Sequence, residues 1–295
     1  MYGPEGRSPW LDVTWSEHLS WLRGGDAVMN VCELGDGPPI VWVHGLGGAW
    51  QNWLEQLPEF GRDHRCVAMD LPGFGASPMP EEDLSIPAYG RAVAALLDAL
   101  GIERAVVVGN SMGGFIATEL AIQFPARVEK LVLVSAAGIS SESLRRRPLL
   151  TGAKFARYGA TWVGSKADWV VRRPRMRLAF AGSVMLRPDK LPPALVEEQV
   201  RGSGKPGFID AFDALMSYQI RERIGEIRCP TLIVWGRQDR LVPVKDADVF
   251  AELIPDARKV IFERTGHVPQ LERPAKFNET LREFLADADR PPERV

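Results

Sequence analysis

The feature that most restricts the fold is a repeated spacing of short apolar runs, each closed by a glycine or proline turn. Pro39 to Gly45 (PIVWVHG), Arg65 to Gly73 (RCVAMDLPG), Arg104 to Asn110 (RAVVVGN), Lys130 to Gly138 (KLVLVSAAG), Pro230 to Gly236 (PTLIVWG) and Arg258 to Arg264 (RKVIFER) all read as strands. They are rich in valine and isoleucine and unbroken by polar alternation, as strands buried on both faces of a parallel sheet are. Helix-like stretches lie between them: PAYGRAVAALLDALG, GGFIATELAIQFP and KDADVFAELIP. Strand alternating with helix predicts an α/β chain built on a mostly parallel, doubly wound sheet. The segment from Glu17 to Glu33 is expected to add one or two antiparallel edge strands.

The alternation stops between about Ile139 and Ile224, where valine-rich runs give way to arginine, proline and tryptophan. Helical stretches such as PPALVEEQV, with proline in the first turn, and PGFIDAFDALMSYQ mark this region as a helical insertion. The expected division is a core of residues 1–138 and 225–295 and a cap of residues 139–224. From Arg145 to Lys190 there are 12 Lys or Arg residues against only Asp168 and Asp189. A solvated helical surface accounts for that excess. The sharper reading is that the insertion overlies a pocket and attracts an anionic substrate, or rests on a lipid interface.

The rest of the composition excludes more than it selects. A formal net charge of -2 gives no reason to expect nucleic acid as partner. Cys32, Cys66 and Cys229 are too few and too far apart for a disulfide framework or metal site, and read as reduced thiols. The start, MYGPEGRSPWLD, lacks the basic flank and apolar run of a secretory signal. No window approaches the roughly 18 apolar residues of a membrane span. A cytoplasmic protein without integral membrane association is expected.

One stretch is at odds with its surroundings. In Val106 to Ala117, VVVGNSMGGFIA, Ser111 stands among Gly109, Gly113 and Gly114 between two apolar runs. Glycine weakens strand and helix interiors alike, so the backbone at Ser111 must need their missing side chains. Gly109-Asn110-Ser111-Met112-Gly113 fits G-x-S-x-G at a strand-to-helix junction, where a sharp turn lifts the serine hydroxyl above the sheet. The helix that follows, taken here as amphipathic and ended by Pro125, directs its free N–H groups at the site.

A serine nucleophile needs a base and an orienting acid, in the chain order Ser, Asp or Glu, His. Of His18, His44, His64 and His267, only His267 follows the other candidates, in the loop RTGHVPQLERP. Asp239, in IVWGRQDRLVP, follows a strand end and precedes His267; Asp246 and Asp248 are weaker because they fall on the next helix. The oxyanion hole is expected to combine the backbone N–H of Met112 with that of Leu46, in the loop HGLGGAWQNW. His44 reads as structural, and Asp70 in MDLPGFGASPMP as a loop stabiliser. Gly45, Gly47, Trp50, Asn110, Val242 and Val268 are candidate pocket residues. Trp53, Trp162 and Trp169 stand between pocket and packing roles, whereas Trp42 and Trp235 read as packing.

HGLGG, DLPGFGAS, GNSMGG, WGRQDRLVP and GHVPQLERP, in that order, resemble the α/β-hydrolase superfamily over nearly the full chain. The resemblance implies an eight-stranded, mostly parallel sheet with a helical cap inserted after the sixth strand. It also implies Ser111 as nucleophile, Asp239 as acid and His267 as base. Serine at the nucleophile position argues against branches resembling haloalkane dehalogenases or epoxide hydrolases, which carry aspartate there. GNSMGG is similar to meta-cleavage-product hydrolases, which split carbon–carbon bonds in ring-fission products. The loop Gly45-Leu46-Gly47-Gly48 looks more like general carboxylesterases. The leading expectation is therefore a carboxylic ester hydrolase acting through an acyl-enzyme on a small-molecule ester, with no cofactor. Carbon–carbon bond hydrolysis is the alternative. A haloperoxidase-type perhydrolase and a non-catalytic ligand-binding protein on the same fold are the remaining readings.

Overall fold

Adjacent valines of one strand enter two different cores. Ala105 and Val107 pack into one buried cluster, Val106 and Val108 into another on the opposite face of the sheet. Ile40 and Trp42 against Val41 and Val43 repeat the pattern. A side chain that alternates faces at every residue is apolar at every residue when both faces are covered. The unbroken valine runs have this cause. Each such side chain removed from water contributes about 1.5–3 kcal/mol.

The computed structural model describes residues 7–140, 172–201 and 205–287. Its strands are β1 (Leu19–Gly24), β2 (Ala27–Leu34), β3 (Pro39–Val43), β4 (Arg65–Met69), β5 (Ala105–Asn110), β6 (Val128–Val134), β7 (Thr231–Gly236) and β8 (Ala257–Phe262). They form one eight-stranded sheet in the order β1-β2-β4-β3-β5-β6-β7-β8. β1 pairs antiparallel with β2, and β2 with β4; every other pairing is parallel. The expected antiparallel edge is thus present as two strands. β4 lies on one side of β3 and β5 on the other, so the chain reverses its winding there. In such sheets the crevice for a ligand opens at the carboxyl ends of the strands flanking that reversal.

The helices are α1 (Leu57–Phe60), α2 (Ile86–Ala99), α3 (Met112–Gln123), α4 (Pro174–Ala181), α5 (Pro193–Arg201), α6 (Phe208–Ser217), α7 (Lys245–Leu253), α8 (Pro269–Glu272) and α9 (Pro274–Ala286). Ser85 caps α2 by accepting the Ala88 N–H at 3.1 Å, and Pro87 occupies the first turn, where its missing N–H costs nothing.

α3 departs from the sequence reading. It is not amphipathic: every residue from Met112 to Ile122 is buried. The sheet lies under it, α2 flanks it, and the segment returning from the insertion covers the rest. Its one buried acid, Glu119, is matched there by Tyr218 Oη at 2.8 Å and the Arg223 guanidinium at 3.1 Å. A buried carboxylate requires such partners.

Between β6 and β7 the described segments are α4, α5, α6 and short 3-10 turns. Trp162, Trp169 and the basic residues from Arg145 to Lys166 lie outside the described residues. Of the basic residues that are described, Arg172, Arg173 and Arg175 are exposed. Arg177 is buried and donates to the Leu191 carbonyl, and Arg187 pairs with Asp189. No described helix is long and apolar enough to cross a membrane.

Candidate active site

Ser111 joins β5 to α3 with φ 56° and ψ -118°. A non-glycine residue in this region of positive φ is strained by about 1–3 kcal/mol, and such strain gathers at functional sites. Two hydrogen bonds hold the turn: the Ser111 N–H donates to the Val134 carbonyl at 2.9 Å, and the Ala137 N–H to the Ser111 carbonyl at 3.0 Å. The glycines around it permit close approach. A Cβ at Gly109 would stand 2.3 Å from the Gly113 carbonyl oxygen, and one at Gly113 would stand 2.2 Å from that of Val43. Backbone packs on backbone at both places.

His267 and Asp239 come together from loops after β8 and β7. The Asp239 Oδ2 to His267 Nδ1 distance is 2.7 Å, and both side chains are almost fully buried. The other oxygen, Oδ1, accepts the N–H groups of Leu241 and Val242 at 2.9 Å each. A carboxylate only accepts, so Nδ1 must carry the proton and Nε2 is left with its lone pair. That tautomer is the one a general base needs. Asp246 sits elsewhere, buried on α7, where it accepts the Ser140 hydroxyl and N–H; burial raises its pKa.

The loop after β3 runs beside the serine. A Cβ at Gly45 would be 3.1 Å from the Ser111 Cβ. Among the described residues, neither the Leu46 nor the Met112 N–H donates to a protein acceptor. His44 is wholly buried and holds this loop. Its Nε2 accepts the Leu71 N–H at 3.0 Å and its Nδ1 donates to the Gly45 carbonyl at 2.7 Å. Burial lowers its pKa, which keeps it the neutral ring this pairing requires. Asp70 collects the Trp50 N–H, the Ala76 N–H and the Asn30 amide, and so ties three segments together.

The remaining pocket candidates divide. Gly47, at φ +74°, lies under Phe208 of α6, 3.1 Å from where its Cβ would be. Val242 supplies a carbonyl to the Trp235 indole N–H, and Val268 is buried at the head of α8. Trp50 packs on Trp15 at 5.1 Å between ring centroids, and Trp53 on Trp42 at 5.1 Å, within the core opposite α3. Asn110 commits its amide to the carbonyls of Val134 at 2.9 Å and His267 at 3.3 Å, lashing the histidine loop to the sheet.

Sequence reasoning missed Glu272. This fully buried carboxylate accepts the Gly266 N–H through Oε1 and the Leu186 N–H through Oε2, both at 2.9 Å. Burial pushes its pKa up to about 7 against the pull of those amides. Its signal was an acid in the buried turn Pro269–Glu272, just after the histidine. Among the described residues, no group of three or more His, Cys, Asp or Glu side chains is arranged to hold a metal.

A family model described as alpha/beta hydrolase fold matches residues 38–274. This chain belongs to the α/β-hydrolase family. It is a hydrolase of that fold. The chain is 34% identical over 287 residues to a 2-hydroxy-6-oxo-2,4-heptadienoate hydrolase of Pseudomonas putida, covering 91% of this chain and 96% of the other. A 2-hydroxymuconate semialdehyde hydrolase of a Pseudomonas species is 34% identical over 279 residues, covering 88% and 91%. Among solved structures, a meta-cleavage product hydrolase superposes with a TM-score of 0.73 at 26% identity, covering 92% of this chain and 100% of that one. An N-acyl homoserine lactone degrading enzyme gives a TM-score of 0.72 at 28% identity, covering 90% and 100%.

Proposed function

We propose that this hydrolase cleaves a carbon–carbon bond in a 2-hydroxy-6-oxo-dienoate, using Ser111 as nucleophile, His267 as base and Asp239 as orienting acid. The observation that carries the reading is the similarity, over nearly the whole of both chains, to hydrolases named for such substrates. The chemistry suits the geometry. Moving a proton from the 2-hydroxyl to C5 turns the dienol into a ketone with a saturated C5 next to the C6 carbonyl. His267 takes the Ser111 proton as Oγ bonds to C6, and the Leu46 and Met112 N–H groups receive the developing oxyanion. As the C5–C6 bond breaks, its electron pair passes through the C3–C4 double bond to the oxygen on C2. That oxygen takes up a proton, giving a 2-hydroxy-2,4-dienoate. Water, deprotonated by His267, then releases the acyl group from Ser111 as a carboxylic acid.

Ester hydrolysis is the second reading. It is favoured by the Gly45-Leu46-Gly47-Gly48 loop and by the likeness to a lactone-degrading enzyme, since a lactone is a cyclic ester. The two share the acyl-enzyme steps on Ser111 and differ in the leaving group and in the ketonisation that must precede carbon–carbon cleavage. The test is product analysis after incubation with 2-hydroxy-6-oxo-2,4-heptadienoate, with Ser111→Ala as control. Acetate and 2-hydroxypenta-2,4-dienoate in equal amounts, absent with the variant, are expected. Unchanged substrate, in a protein that hydrolyses p-nitrophenyl esters, transfers the assignment to ester cleavage.

A further inference from the structure

We propose that Glu272 is a positioning residue that joins the inserted segment to the candidate base, by bridging the peptide just before His267 to the main chain of Leu186. The inference rests on the reading of His267 as general base, and goes beyond it. Three contacts meet around Gly266 and His267. Glu272 Oε1 accepts the Gly266 N–H and Oε2 the Leu186 N–H, while the His267 N–H itself donates to the Val184 carbonyl at 2.8 Å. Gly266 is at its limit of approach: a Cβ there would lie 2.8 Å from Glu272 Oε1 and from the Leu186 nitrogen, and 3.0 Å from the Val184 oxygen. The histidine peptide is therefore wedged between the 184–186 turn and the Glu272 side chain.

The residue type follows from the donors. Two backbone N–H groups from opposite sides need an acceptor at each end of one planar group, and only a carboxylate offers two. Glutamine would turn its NH2 toward one of those donors and leave a buried N–H unpaired, which is costly. Linking Leu186 to Gly266 gives this buried carboxylate a partner for each oxygen. The charged groups around the bridge are Arg273, which donates to Thr265 Oγ1 and the Arg264 carbonyl, and Arg240, which donates to the Gly182 carbonyl. The Arg187–Asp189 pair follows Leu186 directly, and the His267–Asp239 pair follows Gly266.

Loss of the bridge frees His267 to move relative to Ser111, and a misplacement of about 1 Å lowers turnover by about 100-fold. Glu272→Gln is expected to lower kcat by about 10- to 100-fold with KM little changed, because the peptide moves and the substrate contacts do not. The sharper readout is the pH profile of Ser111 labelling by a fluorophosphonate. In the natural protein the titration of Glu272, whose pKa burial raises, contributes to the acid limb. Glu272→Gln removes that contribution and changes the limb, and Glu272→Asp, with the charge kept but the reach shortened, falls between. Amide hydrogen exchange in the unaltered protein needs no variant: burial raises the pKa of Glu272, so its ionisation favours opening, and Gly266 and Leu186 should lose protection as pH rises through the Glu272 titration. A Glu272→Gln protein with the natural labelling rate and acid limb overturns the inference. So does exchange protection at the two amides that is constant with pH. If the unaltered protein is not labelled at Ser111, the nucleophile assignment fails and this inference fails with it. Labelling that is insensitive to Glu272→Gln sinks this inference alone.

Discussion

Replacing Gly113 by alanine tests whether the serine turn and the oxyanion loop are one packed unit. An added Cβ would stand 2.2 Å from the Val43 carbonyl oxygen and 2.5 Å from that of His44. Restoring even a tight 3.0 Å contact requires a shift of at least 0.8 Å, the difference between 3.0 and 2.2. Neither side yields easily. Val43 ends a strand paired with β5, and the buried His44 ring is hydrogen-bonded to Leu71 and Gly45. Overpacking of this kind costs about 1–3 kcal/mol, and the movement is passed to Gly45 and Leu46, beside Ser111. A displacement approaching 1 Å there lowers the rate by up to about 100-fold. Urea unfolding should show a lower midpoint, and fluorophosphonate labelling of Ser111 a slower rate, in the same protein. Natural labelling together with a natural midpoint would refute the argument that these glycines exist for backbone contact.

Three further outcomes follow from the same geometry. Ser111→Gly should be more stable than Ser111→Ala by about 1 kcal/mol in urea unfolding, because glycine releases the strain at φ 56° and repays only part of it in the unfolded chain. Asp239→Asn should keep the fold and cut kcat by about 10⁴-fold, since the amide favours the wrong imidazole tautomer; steady-state turnover beside a thermal melt reads both. Glu272 binds its proton more tightly in the folded chain, so the stability it contributes is full below pH 4.5 and is lost as pH rises through about 7. At about 1.36 kcal/mol per pH unit that difference is worth about 3 kcal/mol, and denaturant unfolding of Glu272→Gln between these pH values should lack it.

The sheet was legible because its strands are covered on both faces, which leaves an unbroken apolar run as the trace of each. The serine turn was legible because backbone-on-backbone contact excludes every residue but glycine at Gly109 and Gly113. The pairing of Asp239 with His267 followed from chain order and loop position. What could not be read is what depends on distant partners. α3, read as amphipathic, is buried all round, and the Arg223 and Tyr218 that permit Glu119 to be buried lie 104 and 99 residues away. Asn110 has the chemistry of a substrate contact, yet its amide is committed to Val134 and to His267, 157 residues distant. Trp50 follows the oxyanion loop directly, but its ring packs on Trp15 of the N-terminal segment. Glu272 shows its purpose only when Leu186, 86 residues earlier, is brought beside Gly266.

The most direct test compares two substrates that deliver the same acetyl group to Ser111. 2-Hydroxy-6-oxo-2,4-heptadienoate does so by breaking a carbon–carbon bond, and p-nitrophenyl acetate by breaking an ester. Measured with one preparation, kcat/KM should be larger for the dienoate despite its far poorer leaving group, and Ser111→Ala should abolish both activities. Hydrolysis of the ester with the dienoate left intact would contradict the carbon–carbon assignment.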